Sequence, residues 1–264
     1  MSVERGRPDA DAPPLSAGQP VLLAGAGVLA GICGAVAGLA SLVSYPALLA
    51  AGLPPLVANV TNTVALVLSG VGSSAASRPE LRGQAGRVRR LLAVTTVGGL
   101  AGSVLLLSTP PGLFRLIVPV LIGGASVLLL VQPRIVRLAS GRLDERGVAV
   151  TAALFAVAVY GGYFGAGAGV LMLAVLAVSV PEPLARLNAV KNVCLGAANA
   201  IAAAGFVLFG PVRWDAAAPL AAGFLLGGAL GPALVRRLPQ GPLRVLIAVA
   251  GLALAAKLGL DALR

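Results

Sequence analysis

Residues 21–77 read VLLAGAGVLAGICGAVAGLASLVSYPALLAAGLPPLVANVTNTVALVLSGVGSSAAS and contain no Asp, Glu, Lys or Arg. At about 1.5 Å of rise per helical residue, these 57 residues could cross a ~30 Å hydrocarbon core nearly three times. No soluble core needs an uncharged run of that length. The rest of the chain agrees. Only 11% of the 264 residues are charged, against roughly 25% in an ordinary soluble domain, and the mean hydropathy is +0.96.

The apolar runs are continuous and rich in Ala, Leu, Val and Gly, whereas a transmembrane barrel would show short segments of alternating polarity. The sequence therefore predicts an all-α polytopic membrane protein. Its net charge of +11 could suggest nucleic acid. The basic residues, however, sit in short loops between apolar runs, as the positive-inside rule requires, so no nucleic-acid partner is expected. Cys33 and Cys194 lie in apolar surroundings and read as buried thiols. Residues 1–19 mix both charge signs with Pro and Gly and read as a disordered tail ahead of an uncleaved first membrane segment.

Apolar segments fall at 20–52, 56–77, 91–108, 112–132, 148–180, 184–209, 216–235 and 243–260. Two of them, 20–52 and 148–180, are too long for one straight crossing. Each is interrupted by small residues, GICGAVAGLAS at 31–41 and GGYFGAGAG at 161–169, and each ends at a proline turn, GLPP or VPEP. Beyond the turns, ANVTN at 58–62 corresponds to NAVKN at 188–192, and Asn62 and Asn192 are 130 residues apart. This is a tandem repeat: a first copy at 20–132, a basic linker at 133–147 and a second copy at 148–264.

The loop after the second segment, 78–90, carries five Arg, and the loop that follows, STPPG, carries none. In the second copy the order is exchanged: Arg213 is balanced by Asp215, while Arg236, Arg237 and Arg244 mark the later loop. Corresponding loops thus face opposite sides, which predicts two inverted repeats. Each copy then consists of a Gly-broken segment plus three spanning helices. If the broken segments are re-entrant, loop cations divide 13 to 2 between the sides and both termini lie outside; if they cross fully, the division is 10 to 5. Counting the termini narrows the margin, and both arrangements stay open.

The chain has no histidine, and all nine acidic residues lie in tails, loops or segment edges. No metal, cofactor or nucleophile–base pair is expected, and no enzymatic activity. What remains is Lys191, about seven residues past the proline turn and roughly 10 Å into the hydrocarbon. It either snorkels to the near interface or faces a polar cavity and attracts an anion. Asn188 at i−3 shares its face, while Asn192 points elsewhere. The glycines Gly165, Gly167 and Gly169 either permit close helix packing or unwind a helix and expose N–H groups to an anion. Tyr163, and with it Tyr160, donates to a substrate or packs. Asn59, Thr61 and Asn62, the counterparts of the Asn/Lys cluster, approach the site from the other copy or pack between helices.

Two stretches carry a family resemblance: GAGVLAGICGAVAGLASLVSYPALLAAGLPPLVANVTN in the first half and YGGYFGAGAGVLMLAVLAVSVPEPLARLNAVKN in the second. With them the chain resembles the TauE/SafE family, the sulfite exporters, over about residues 20–260. The resemblance implies a plasma-membrane transporter with two related halves, handling sulfite or organosulfonates. Expected partners are a small anionic substrate and the lipid bilayer, with a homo-oligomer left open. The alternatives are a carrier or channel for a neutral or cationic solute, and a non-transporting membrane scaffold.

Overall fold

Two glycine-centred breaks organise the chain. The computed structural model describes residues 15–139, 143–235 and 240–262, so residues 1–14 of the expected tail, 140–142 of the expected linker, and Arg236 and Arg237 lie outside the described residues. The described residues form eleven helices and no strand. They run α1 Gln19–Ala37, α2 Ala40–Ala50, α3 Pro55–Ala76, α4 Arg78–Leu81, α5 Ala85–Leu107, α6 Pro111–Ala139, α7 Val148–Tyr163, α8 Ala168–Ser179, α9 Leu184–Phe209, α10 Trp214–Val235 and α11 Gln240–Ala262. Six helices, α1, α3, α5, α6, α9 and α10, are long and apolar enough to cross a membrane, while α2, α7 and α8 are shorter.

Each long apolar segment is a pair of helices. Gly38, at φ 76°, ends α1 in the left-handed conformation, and its N–H bonds Gly34 O at 2.8 Å. The second break is held by Gly165 and Gly167, at φ 78° and 76°; a side chain in this conformation costs about 1–2 kcal/mol. The outer ends of each pair are tied together or nearly so. Gln19 Nε2 donates to Ala51 O at 3.5 Å, which places the start of α1 beside the end of α2. Leu143 N, just ahead of α7, donates to Val178 O in the last turn of α8 at 3.3 Å.

Prolines start the helices that follow. Pro54 and Pro55 open α3, and Pro183 caps α9, where a missing N–H costs nothing. The charged stretch 78–90, read from the sequence as a loop, is instead the short helix α4 and the first turn of α5. Arginine is a good helix former whose stem can lie on apolar surface while its head reaches water.

Packing is arranged in matched pairs. Helix α1 packs on α10 and α7 on α5; α3 packs on α10 and α9 on α5; α3 meets α9, and α6 meets α11. Glycines allow the closest approaches. A Cβ on Gly38 would lie 2.5 Å from Gly169 Cα, so the two breaks touch backbone to backbone. One on Gly70 of α3 would lie 2.9 Å from Gly196 Cα of α9. The two helices run antiparallel: Arg186, near the start of α9, donates to Arg82 O beyond the end of α3 at 2.8 Å, and Arg213 N, beyond α9, donates to Thr61 Oγ1 near the start of α3 at 3.1 Å.

The basic end is laced by ion pairs. Arg87 grips Glu145 through two hydrogen bonds of 2.9 and 3.0 Å, and Arg90 also bonds this carboxylate. Arg87 lies 3.6 Å from Glu182, which pairs with Arg186 at 3.1 Å. The hydrogen bond from Arg87 holds the Glu145 carboxyl below the usual carboxylate range, against a smaller opposing effect of partial burial.

Candidate functional site

Where the two breaks meet and α3 crosses α9, the chain forms a partly open cavity of about 60 Å³, room for several water-sized groups. Its walls are two helical stripes of the same spacing, Leu66, Ser69, Gly70 and Ser73 on α3 and Asn192, Leu195, Gly196 and Asn199 on α9. Positions i, i+3, i+4 and i+7 form one helix face, with glycine third in each stripe at the crossing. The first turns of α2 and α8 complete the lining through Ala40, Ser41, Ala168 and Gly169, with Gly34, Ala35, Gly38, Gly165 and Lys191.

Lys191 does not snorkel. It is 1% exposed, and its ammonium donates to Gly34 O, in the last turn of α1, at 3.0 Å. Asn188 Nδ2 donates to the neighbouring Ala35 O at 2.5 Å. Asn192, expected to point elsewhere, also reaches Ala35 O, at 3.5 Å. The reason is that α1 ends against the side of α9, so adjacent positions on α9 meet the same terminal carbonyls. Those carbonyls form the negative end of the α1 dipole and favour a cation. No carboxylate pairs with Lys191 among the described residues.

The other half has a counterpart without charge. Asn59 Nδ2 on α3 donates to Tyr163 O, the last residue of α7, at 2.9 Å. Each half therefore clasps the C-terminus of the other half's broken helix. The side-chain oxygens of Asn59 and Asn188 are both buried without a hydrogen-bond partner among the described residues. Asn62 binds α2 instead, accepting from Ser44 Oγ at 2.6 Å and donating to Ser41 Oγ at 3.1 Å. Thr61 accepts from Arg213 N.

Of the residues singled out in the sequence, Lys191, Asn192, Gly165 and Gly169 line the cavity. Asn188, Asn59, Thr61, Asn62, Tyr163 and Gly167 are outside its lining, as supports around it. Gly167 packs beside Ala125 of α6. The Tyr163 ring lies 5.9 Å from Phe114, edge to face, and the Tyr160 hydroxyl donates to Ala166 O within the second break at 2.5 Å. Asn199, which stands two turns beyond Asn192 on a similar helix face in the sequence, also lines the cavity, and so do Ser41, Ser69 and Ser73, which nothing in the sequence singles out one by one. The signal that could have found them is the repeated i, i+3, i+4, i+7 stripe. Among the described residues no group of His, Cys, Asp and Glu could hold a metal ion.

Comparison with known proteins bears on this architecture. The chain is 26% identical over 225 residues to a protein of Haemophilus influenzae named "Probable membrane transporter protein", an alignment covering 82% of this chain and 85% of that one. No solved structure matches the chain. The profile of the family described as Sulfite exporter TauE/SafE matches residues 23–258. With its apolar helices and nearly its whole length matched, the chain is a multi-pass membrane protein of the sulfite exporter TauE/SafE family.

Proposed function

We propose that this protein is a secondary transporter of the plasma membrane that moves a small anion, sulfite or an organosulfonate, by alternating access through the central cavity. The observation that carries the reading is Lys191, a buried lysine beside the cavity with no carboxylate partner among the described residues. Placing a lysine at a helix centre costs about 2.5–3.5 kcal/mol on the insertion scale. A helix C-terminus returns about 0.3–2 kcal/mol. The helix end alone leaves a deficit, which an anion in the cavity would offset. The α2 and α8 N-termini at the same cavity also favour negative charge.

In this reading the two copies, 20–132 and 148–264, joined by the linker at 133–147, are inverted repeats with re-entrant broken segments. The matched packing of α1 on α10 with α7 on α5 supports a two-fold relation. The contacts Gln19 to Ala51 and Leu143 to Val178 support hairpins that return to their own sides. Lys191 and Asn192 would meet the anion, with Gly165 and Gly169 offering backbone. Asn188, Asn59, Asn62, Thr61, Gly167 and Tyr163 would hold the two hairpins around it.

The test is a flux panel on reconstituted protein. Labelled sulfite and short sulfonates should cross and compete with one another, while neutral and cationic solutes should not. Flux of a cationic solute with no competition by sulfonates would overturn the reading.

A further inference from the structure

The ends of the cavity differ chemically. Asn192 and Asn199 are seven residues apart on one face of α9, so about 10 Å separates them along the helix axis. At the first end, beside Asn192, lies the ammonium of Lys191. Among the described residues no ionised side chain lines the other end; Asn199 and Leu66 do, with Ser69 towards the crossing and Leu195 between Asn192 and Asn199. Asn199 is 9% exposed and Ser69 6% exposed. Neither side chain has a hydrogen-bond partner among the described residues, unlike Ser41, which binds Asn62, and Ser73, which binds Gly70 O. A carboxamide and a hydroxyl that face the cavity and are unpaired within the described chain are free to bond a group held in it. A compact oxyanion held beside Lys191 does not reach both.

Resting on the anion-transport reading, we propose that Asn199 and Ser69 form an uncharged recognition end of the cavity. The preferred substrate is then a short organic anion carrying a hydroxyl or similar hydrogen-bonding group on the carbon opposite its charge. Leu195 packs on the stem between the two ends. A site that pairs buried polar groups with a substrate hydroxyl discriminates against the analogue lacking it, because those groups are then left dry and unpaired.

The experiment is competition against labelled sulfite flux in proteoliposomes holding the full chain, with ethanesulfonate and 2-hydroxyethanesulfonate as the probes. The wild type should prefer the hydroxylated probe by about tenfold or more. Asn199→Leu should bring the two probes within about twofold of each other while ethanesulfonate still competes, which shows that the charged end is intact. Ser69→Ala, a smaller change, should reduce the preference in part. Equal competition by the two probes in the wild type, or a preference that survives both substitutions, would overturn the proposal. Sulfite flux that neither probe inhibits would also overturn it while leaving the anion reading standing. Absence of any sulfur-anion flux would remove both.

Discussion

The Nζ of Lys191 lies 3.0 Å from the carbonyl oxygen of Gly34. This contact joins a cation in the second half of the chain to the broken helix of the first. The reverse contact, Asn59 to Tyr163 O at 2.9 Å, uses a neutral amide. The two broken helices are therefore held in the same manner, one by an ammonium and the other by a neutral amide. In the anion reading proposed above, an anion entering the cavity would compete for the partner of α1 and not for that of α7.

The meeting of the two breaks should be intolerant of a methyl group. Gly38 has a φ of 76°, and a Cβ placed on it would lie 2.5 Å from Gly169 Cα, so Gly38→Ala incurs both backbone strain and a backbone clash. Gly52 has a φ of 92° but open space around it, so Gly52→Ala incurs the strain alone, about 1–2 kcal/mol. Thermal unfolding in detergent should rank the variants accordingly, with Gly38→Ala the less stable. Equal midpoints would contradict the close approach.

Removing the clasp on α7 should destabilise without affecting charge. Asn59→Leu leaves Tyr163 O unpaired in a dry setting, and Asn62→Leu removes the bonds to Ser41 and Ser44. Each change should cost about 1–3 kcal/mol. The two amides have separate partners but lie one turn apart on α3, close enough to couple, so the double variant should depart from the sum. A thermal-shift series on the single and double variants checks this.

Acid should loosen the basic end. The Glu145 carboxyl is held below its ordinary range by Arg87, so its folded pKa is lower than its unfolded one. Its contribution to stability is present in full above the unfolded value, about 4.3, and is lost as pH falls through the folded value. Wild type should therefore lose more thermal stability than Glu145→Gln on acidification below about pH 4. Parallel pH profiles would show that the Arg87 pairing carries no stability.

The spans are legible in the sequence because charge is absent over long runs, and the breaks because glycine clusters fall midway along segments too long for one crossing. Lys191 stands out for the same reason. The direction of the amides is not legible. Asn59 and Asn62 resemble Asn188 and Asn192 in sequence, but their partners are a helix end and two serines, which depend on tertiary packing. Ser69 is hidden for another reason: small and polar residues on membrane helices commonly serve packing. Only the cavity separates these uses. The first turn of α5 reads as loop when its arginines are counted only as topology signals, although arginine is equally compatible with helix.

The central claim is that Lys191 supplies the positive charge that draws an anion into the cavity. The most direct measurement is labelled sulfite flux through proteoliposomes bearing wild type or Lys191→Met, with thermal midpoints of both proteins taken in detergent. Met relieves the cost of burying a lysine, about 2.5–3.5 kcal/mol, and leaves Gly34 O without its donor, at about 1–3 kcal/mol. The account therefore predicts that Lys191→Met keeps or raises the midpoint and loses flux by tenfold or more, about 1.4 kcal/mol. Undiminished sulfite flux in a folded Lys191→Met protein would contradict it.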